Sequence, residues 1–123
     1  MQRTVWLVEE DGAVRESIAM LLRQRGLRVH AHSSAVDCLK ETNLDGCACL
    51  VLDDQNTELS GMELLEILRS RRVGTPAIIM ASQSSPQLTH RAARAGATVL
   101  HKPVSAGELL NALRSAAPAV HVG

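Results

Sequence analysis

The apolar positions along this chain switch repeatedly between a strand pattern and a helix pattern. Thr4 to Val8 is a continuous β-prone run, short enough for a strand buried on both faces. Val14, Ile18, Leu21 and Leu22 then recur at helical spacing, with Asp11 placed to cap that helix and Gly26 to stop it. Arg28-Val29-His30-Ala31-His32 alternates weakly, as an edge strand does. Ser34 caps a shorter helix carrying Val36, Cys38 and Leu39 through about Glu41, and Asn43-Leu44-Asp45-Gly46 is a turn cluster. Ala48 to Asp53 reads as the central strand.

The second half repeats the pattern. Ser60-Gly61-Met62-Glu63 has capping-box spacing ahead of Leu64, Leu65 and Leu68, and Arg69, Arg71 and Arg72 suit that helix's C-terminal end. Gly74-Thr75-Pro76 breaks the chain before a strand from Ala77 to Ala81. Pro86 opens a helix with a thin apolar stripe, Leu88 plus Ala92, Ala93 and Ala95, which Gly96 ends. Val99 to His101 is the last strand, Ser105-Ala106-Gly107-Glu108 a second capping box, and Leu109, Leu110 and Leu113 share one face. Residues 3–117 form the folded unit and 118–123 a tail or linker stub.

Strict strand-helix alternation argues for a parallel sheet with helices on both faces. Ligands of such sheets bind outside the carboxyl ends of the strands, where strand order reverses. Glu9, Glu10, Asp53, Ala81 and Lys102 all fall at such ends. Composition narrows the options further. A chain of 123 residues is one domain by length, and zero formal net charge gives no whole-molecule footprint for nucleic acid. No apolar run reaches membrane-spanning length and Met1-Gln2-Arg3-Thr4 is no signal peptide, so the expected location is the cytoplasm, without membrane contact. Cys38, Cys47 and Cys49 are too few and too clustered for a disulfide framework. Cys47-x-Cys49 lacks the partners of a four-ligand metal site and reads as strand filling. Trp6, the one aromatic residue of Phe, Tyr and Trp type, reads as core filling; base-stacking platforms are unavailable. His30, His32, His90, His101 and His121 show no zinc-site spacing and read as surface or packing residues.

The chemistry concentrates in Glu9-Glu10-Asp11, Asp53-Asp54 and Lys102. Two carboxylates 4 Å apart repel by about 4 kcal/mol at an effective dielectric near 20. A hard cation such as Mg²⁺ relieves this, and it orients a phosphoryl donor toward a carboxylate nucleophile. On that reading Asp53 accepts a phosphoryl group and Lys102 supplies a point charge for its oxygens.

Val8-Glu9-Glu10-Asp11, Val51-Leu52-Asp53, Ser60-Gly61-Met62-Glu63-Leu64-Leu65, Ala95-Gly96-Ala97 and Lys102-Pro103, in this order and spacing, resemble the receiver domain of bacterial two-component response regulators over nearly the whole chain. The resemblance implies a flavodoxin-like (βα)5 fold with strand order 2-1-3-4-5, and a non-enzymatic signalling role. It implies a sensor histidine kinase or phosphotransfer protein as donor and Asp53 as acceptor. Glu10 would be the most direct Mg²⁺ ligand, with Glu9 helping and the backbone carbonyl of Gln55 completing the set. Lys102 would contact the phosphoryl group ahead of a cis Pro103. Output would pass through the surface of the fourth helix, fifth strand and fifth helix, to an effector domain or a second copy. The chain departs from the pattern in several places. Glu9 and Glu10 stand where the family has two aspartates, which is expected to weaken Mg²⁺ binding. Ala81 takes the hydroxyl position, with Ser82 next door on the other face, Leu100 takes the aromatic switch position, and the proline after the acceptor loop is replaced near Thr57. The alternative is a pseudo-receiver that binds partners without phosphorylation. A small α/β phosphatase is disfavoured, since no nucleophile-base pair or phosphate-cradling glycine loop is present.

Overall fold

The computed structural model describes residues 3–41, 44, 46–55 and 58–118. Met1, Gln2, Asn43, Asp45, Thr57, His121 and the rest of the segment after Pro118 lie outside the described residues. The order of elements is β1 (Thr4–Val8), α1 (Gly12–Gln24), β2 (Arg28–His32), α2 (Ala35–Lys40), β3 (Cys47–Asp53), α3 (Gly61–Ser70), β4 (Ala77–Ala81), α4 (Pro86–Arg94), β5 (Ala97–His101) and α5 (Ala106–Ala116). All pairings are parallel and the sheet order is β2-β1-β3-β4-β5, the flavodoxin-like arrangement the resemblance implies.

The helix starts follow local chemistry. Asp11 accepts from the amides of Ala13 and Val14, Ser34 from Asp37 and Ser85 from Leu88. Ser60 and Ser105 form reciprocal capping boxes with Glu63 and Glu108. Gly26 and Gly96 follow their helices at positive φ, +87° and +71°, a conformation that side chains with a Cβ avoid.

Alternation along the buried strands sends side chains to two apolar layers. One, beneath α1 and α5, holds Val5, Leu7, Val51, Ile78, Met80, Leu22, Leu109 and Leu113. The other, beneath α2, α3 and α4, holds Trp6, Val8, Leu50, Leu52, Ile79, Leu64, Leu65, Leu68 and Leu88. Trp6 is thus core filling. The β1–β3 register shifts between Thr4 and Val5, which pair with Cys47 and Cys49, so Ala48 is an extra residue on β3. The shift places Cys47 with the second layer and Cys49 in the first, so the Cys47-x-Cys49 pair does not converge on a metal.

Two expectations are corrected. β5 begins at Ala97 rather than Val99, because Ala97 and Thr98 already pair with Ala77 and Ile78. Val14 does not join the apolar stripe of α1; it is 40% exposed, and Ala19 and Leu22 are the buried residues of that helix. No described helix is long and apolar enough to cross a membrane.

Candidate functional site

Three strand ends converge at the carboxyl edge of the sheet. Beyond β1, the Glu9 amide donates to His32 O at 3.1 Å; beyond β3, the Asp54 amide donates to Met80 O at 2.9 Å; beyond β5, the Lys102 amide donates to Ala81 O at 2.8 Å. Sheet pairing therefore continues one step past each strand and fixes Glu9, Asp53 and Lys102 in register. Arg15, one turn into α1, donates to Glu9 O at 2.8 Å and tethers the acidic loop from the helix side.

Lys102 Nζ donates to Asp53 Oδ1 at 2.7 Å and stands 3.7 Å from Glu9 Oε1. Both carboxylates are buried, Glu9 at 1% and Asp53 at 3% relative exposure, while Lys102 is about a quarter exposed at its side chain. Exposed Glu10 and Asp11, with Gln55, complete the mouth of a cleft of about 350 Å³. The predicted convergence of Glu9, Glu10, Asp53 and Lys102 is therefore what the structure has. Asp53 Oδ1 also accepts from the Gln55 amide at 3.1 Å, which turns the chain so that Gln55 lines the same cleft.

The electrostatics are those of two buried acids sharing one ammonium. Burial pushes the Glu9 carboxyl up to about 8, neighbouring Asp53 adds to the rise, and Lys102 opposes it. Burial alone would lower the Lys102 ammonium, but its hydrogen bond to Asp53 and the charges of Asp53 and Glu9 outweigh this and raise it. Glu9 Oε2 is buried with no hydrogen-bond partner among the described residues. An unpaired buried oxygen beside Asp53, Glu10 and the Gln55 backbone is an all-oxygen donor set, which suits a hard divalent cation.

The base of the cleft depends on Asp54, which acts as the helix cap that an acidic strand end can supply, and on Gly61, whose close approach to β3 the sequence does not reveal. Asp54 Oδ1 accepts from the Met62 amide at 3.1 Å, so it binds the first turn of α3 to the end of β3. Gly61 is required by that approach: a Cβ there would lie 2.6 Å from Asp53 O. The Lys102–Pro103 peptide is cis.

The switch positions divide differently from expectation. Ala81 is fully buried in the layer under α4, and no hydroxyl sits at that point. Ser82 is exposed and lines the walls on either side, one with Glu9 and Lys102, the other with Asp54 and Gln55. Leu100, which takes the aromatic switch position by resemblance, packs against the opposite layer, and Val99 shares the layer of Ala81. The cause is the register: Val99 pairs with Ile79 and Leu100 with Met80, so alternation sends Leu100 with Met80. On α4, Arg91 forms an ion pair with Glu66 of α3, and Arg94 is exposed.

The histidines are not all scattered. His30 and His32 stand two apart on β2 and so share a face, stacked on each other and against Trp6. Burial and the proximity of His30 hold the His32 imidazole below its usual value. The i, i+2 spacing on a strand is the signal that could have paired them.

Residues 5–114 match the response regulator receiver domain. Among curated proteins, the chain is 33% identical over 113 residues to the response regulator protein TodT of Pseudomonas putida, covering 91% of this chain and 50% of that protein. It is 36% identical over 113 residues to nodulation protein W of Bradyrhizobium diazoefficiens, with 91% and 50% covered. The chain thus spans about half the length of these relatives. Among solved structures, it superposes on the response regulator StyR with TM-score 0.88 and 32% identity, over 97% of this chain and 61% of that one. The CheY-like receiver domain protein of Methanospirillum hungatei shares its fold, with TM-score 0.82 at 22% identity over 94% and 93% of the two chains. The strand order, the acidic cleft and a family match over nearly all the chain agree, and the chain belongs to the response regulator receiver domain family.

Proposed function

We propose that Asp53 accepts a phosphoryl group from the phosphohistidine of a sensor histidine kinase or phosphotransfer protein in a cytoplasmic two-component pathway. The observation that carries this reading is the buried Asp53 carboxylate held at 2.7 Å by Lys102, at the floor of an open acidic cleft. An Asp53 oxygen attacks phosphorus, the P–N bond to the donor imidazole breaks, and the imidazole leaves with a solvent proton, giving an acyl phosphate on Asp53. Lys102 is placed to pass from the carboxylate to the incoming phosphoryl oxygens, and so to stabilise charge that develops during transfer. Burial of Asp53 keeps bulk water from competing for its oxygens.

Glu9, Glu10, Asp53 and the Gln55 carbonyl would hold Mg²⁺, and the orphaned Glu9 Oε2 supports that assignment. When bound, the ion neutralises the clustered carboxylates and orients the phosphoryl donor. Glu9, held partly neutral by burial, must ionise to take part. Output passes through the α4-β5-α5 surface, toward an effector domain or a second copy of the chain. The roughly twofold greater length of TodT and nodulation protein W supports an effector, and a further relative, 64% of which is matched, is named as a transcriptional regulatory protein, DctR of Rhodobacter capsulatus.

One observation favours a second reading. Ala81 offers no hydroxyl to a phosphoryl group on Asp53, as in a pseudo-receiver that binds partners without phosphorylation. Incubation with Mg²⁺ and acetyl phosphate separates the two. Covalent gain of one phosphoryl group, absent in Asp53→Asn, is the expected outcome; an intact protein mass that never changes leaves the pseudo-receiver.

A further inference from the structure

We propose that His30, His32 and Glu41 form a site for a divalent transition-metal ion of the Zn²⁺ class, on the opposite flank of β1 from the acidic cleft. Their ligand atoms, one from each residue, all lie within 4.8 Å of one another. β2 is an edge strand, and its i, i+2 imidazoles stand together on the side of Trp6, the face toward α2. Glu41, the residue that closes α2, brings a carboxylate to within 3.9 Å of His30 Nε2.

The two rings are held close together, and sharing one ion requires one of them to turn out of the stack so that both nitrogen lone pairs meet at it. Trp6 forms a floor under both rings, at centroid distances of 4.4 Å to His30 and 5.3 Å to His32, and the two imidazoles stack at 4.8 Å with 15° between planes. His32 Nε2 is buried and has no hydrogen-bond partner among the described residues. Aromatic packing and the 3.9 Å approach of Glu41 to His30 Nε2 account for His30 and Glu41, but they leave His32 Nε2 unsatisfied, and buried polar atoms are rarely so. A metal ion bound through that nitrogen would use its lone pair.

Two nitrogens and one carboxylate oxygen match the ligand types of three-ligand zinc sites, which keep a fourth position for water. The side chains of His30 and Glu41 are 44% and 43% exposed, which leaves solvent a way to that position. Bonds of about 2.0–2.1 Å in tetrahedral geometry require ligand atoms about 3.3 Å apart. Closing from 4.8 Å therefore takes movements of about 1 Å, well within the rotamer freedom of two exposed side chains. Nitrogen-rich ligation also sorts the metals. A borderline transition ion prefers this site, whereas Mg²⁺ prefers the all-oxygen cleft.

The test uses the full chain with saturating Mg²⁺, which occupies the cleft. Calorimetric titration with Zn²⁺ is expected to show one equivalent bound, and Ni²⁺ is expected to quench the emission of Trp6, which lies against His30. His30→Ala and Glu41→Gln, both at exposed side chains, are expected to weaken binding by about tenfold or more each, with melting temperature retained in the absence of metal. Cys47→Ser should leave it unchanged. No saturable Zn²⁺ binding, binding that survives the His30→Ala/Glu41→Gln double variant, or binding lost in Cys47→Ser instead, would each overturn the proposal.

Discussion

The two halves of the carboxyl edge are built to different standards. In the cleft, Glu9 and Asp53 from beyond β1 and at the end of β3 meet Lys102, which reaches across from beyond β5, within hydrogen-bond or ion-pair distance, and backbone pairing past the strand ends holds them there. On the β4–β5 side, Ala81, Val99 and Leu100 present only small or aliphatic groups, two of them in one layer and the third in the other. The first region carries charge-based chemistry and the second carries packing. The charged cluster around Asp53 and the aliphatic positions on the α4 side are therefore separable, each with its own residues.

The sharpest way to break the first region is Lys102→Ala. It removes the ammonium that lies against both buried carboxylates, and labelling by acetyl phosphate should fall by roughly 10²–10³-fold, as for loss of a single stabilising donor. An intact-mass time course that matches the parent's would mean that the ammonium is a structural counter-charge only. Next in size is Gly61→Ala. A methyl group 2.6 Å from Asp53 O forces α3 away from β3, and chemical denaturation should show a loss of about 1–3 kcal/mol. An unchanged midpoint would mean that the helix moves freely against the strand.

A pH effect comes third. Because the folded Glu9 carboxyl is raised from 4.5 to about 8, the folded state holds a proton that the unfolded chain releases across that interval. In metal-free buffer, stability should be greatest below pH 4.5 with respect to this group. It should then decline toward pH 8 with a slope of at most about 1.4 kcal/mol per pH unit. Glu9→Gln should flatten that slope, and an identical slope in the variant would assign it to other groups. The smallest effect in stability terms belongs to the second region. Ala81→Thr with Val99→Phe puts a hydroxyl and a ring into one layer, whereas Ala81→Thr with Leu100→Phe splits them between layers. The first pair should enlarge the beryllofluoride-induced change in amide chemical shifts on α4 and the second should not; equal responses would dissolve the distinction.

The fold was legible because its signals are local. A change of hydrophobic period, a capping residue and a glycine stop delimit most elements, and Asp11, Ser60, Ser105 and Gly96 act as their positions predict. The Asp53–Lys102 meeting was legible through one topological rule about strand ends, without any distance being known. What escaped depends on register. Nothing within residues 96–101 distinguishes Val99 from Leu100 as the neighbour of Ala81 until β4 and β5 are aligned. Val14 has helical spacing but falls in the first turn of α1, which overhangs the cleft rather than the core. His30 and His32 share a face by simple alternation, yet Glu41 reaches them only because α2 is six residues long and ends beside the strand.

The extra residue at Ala48 has a consequence for oxidation. By sending Cys47 and Cys49 to opposite sides of β3, the bulge keeps two thiols that are near neighbours in sequence from closing on each other. Burial raises Cys38 and Cys49 to about 12 and Cys47 to about 11, which leaves almost no thiolate to attack a disulfide or a peroxide at neutral pH. Cys49 is in this way kept, in the folded chain, from its sequence neighbour Cys47 and from Cys38, which both pack on the other side of the sheet.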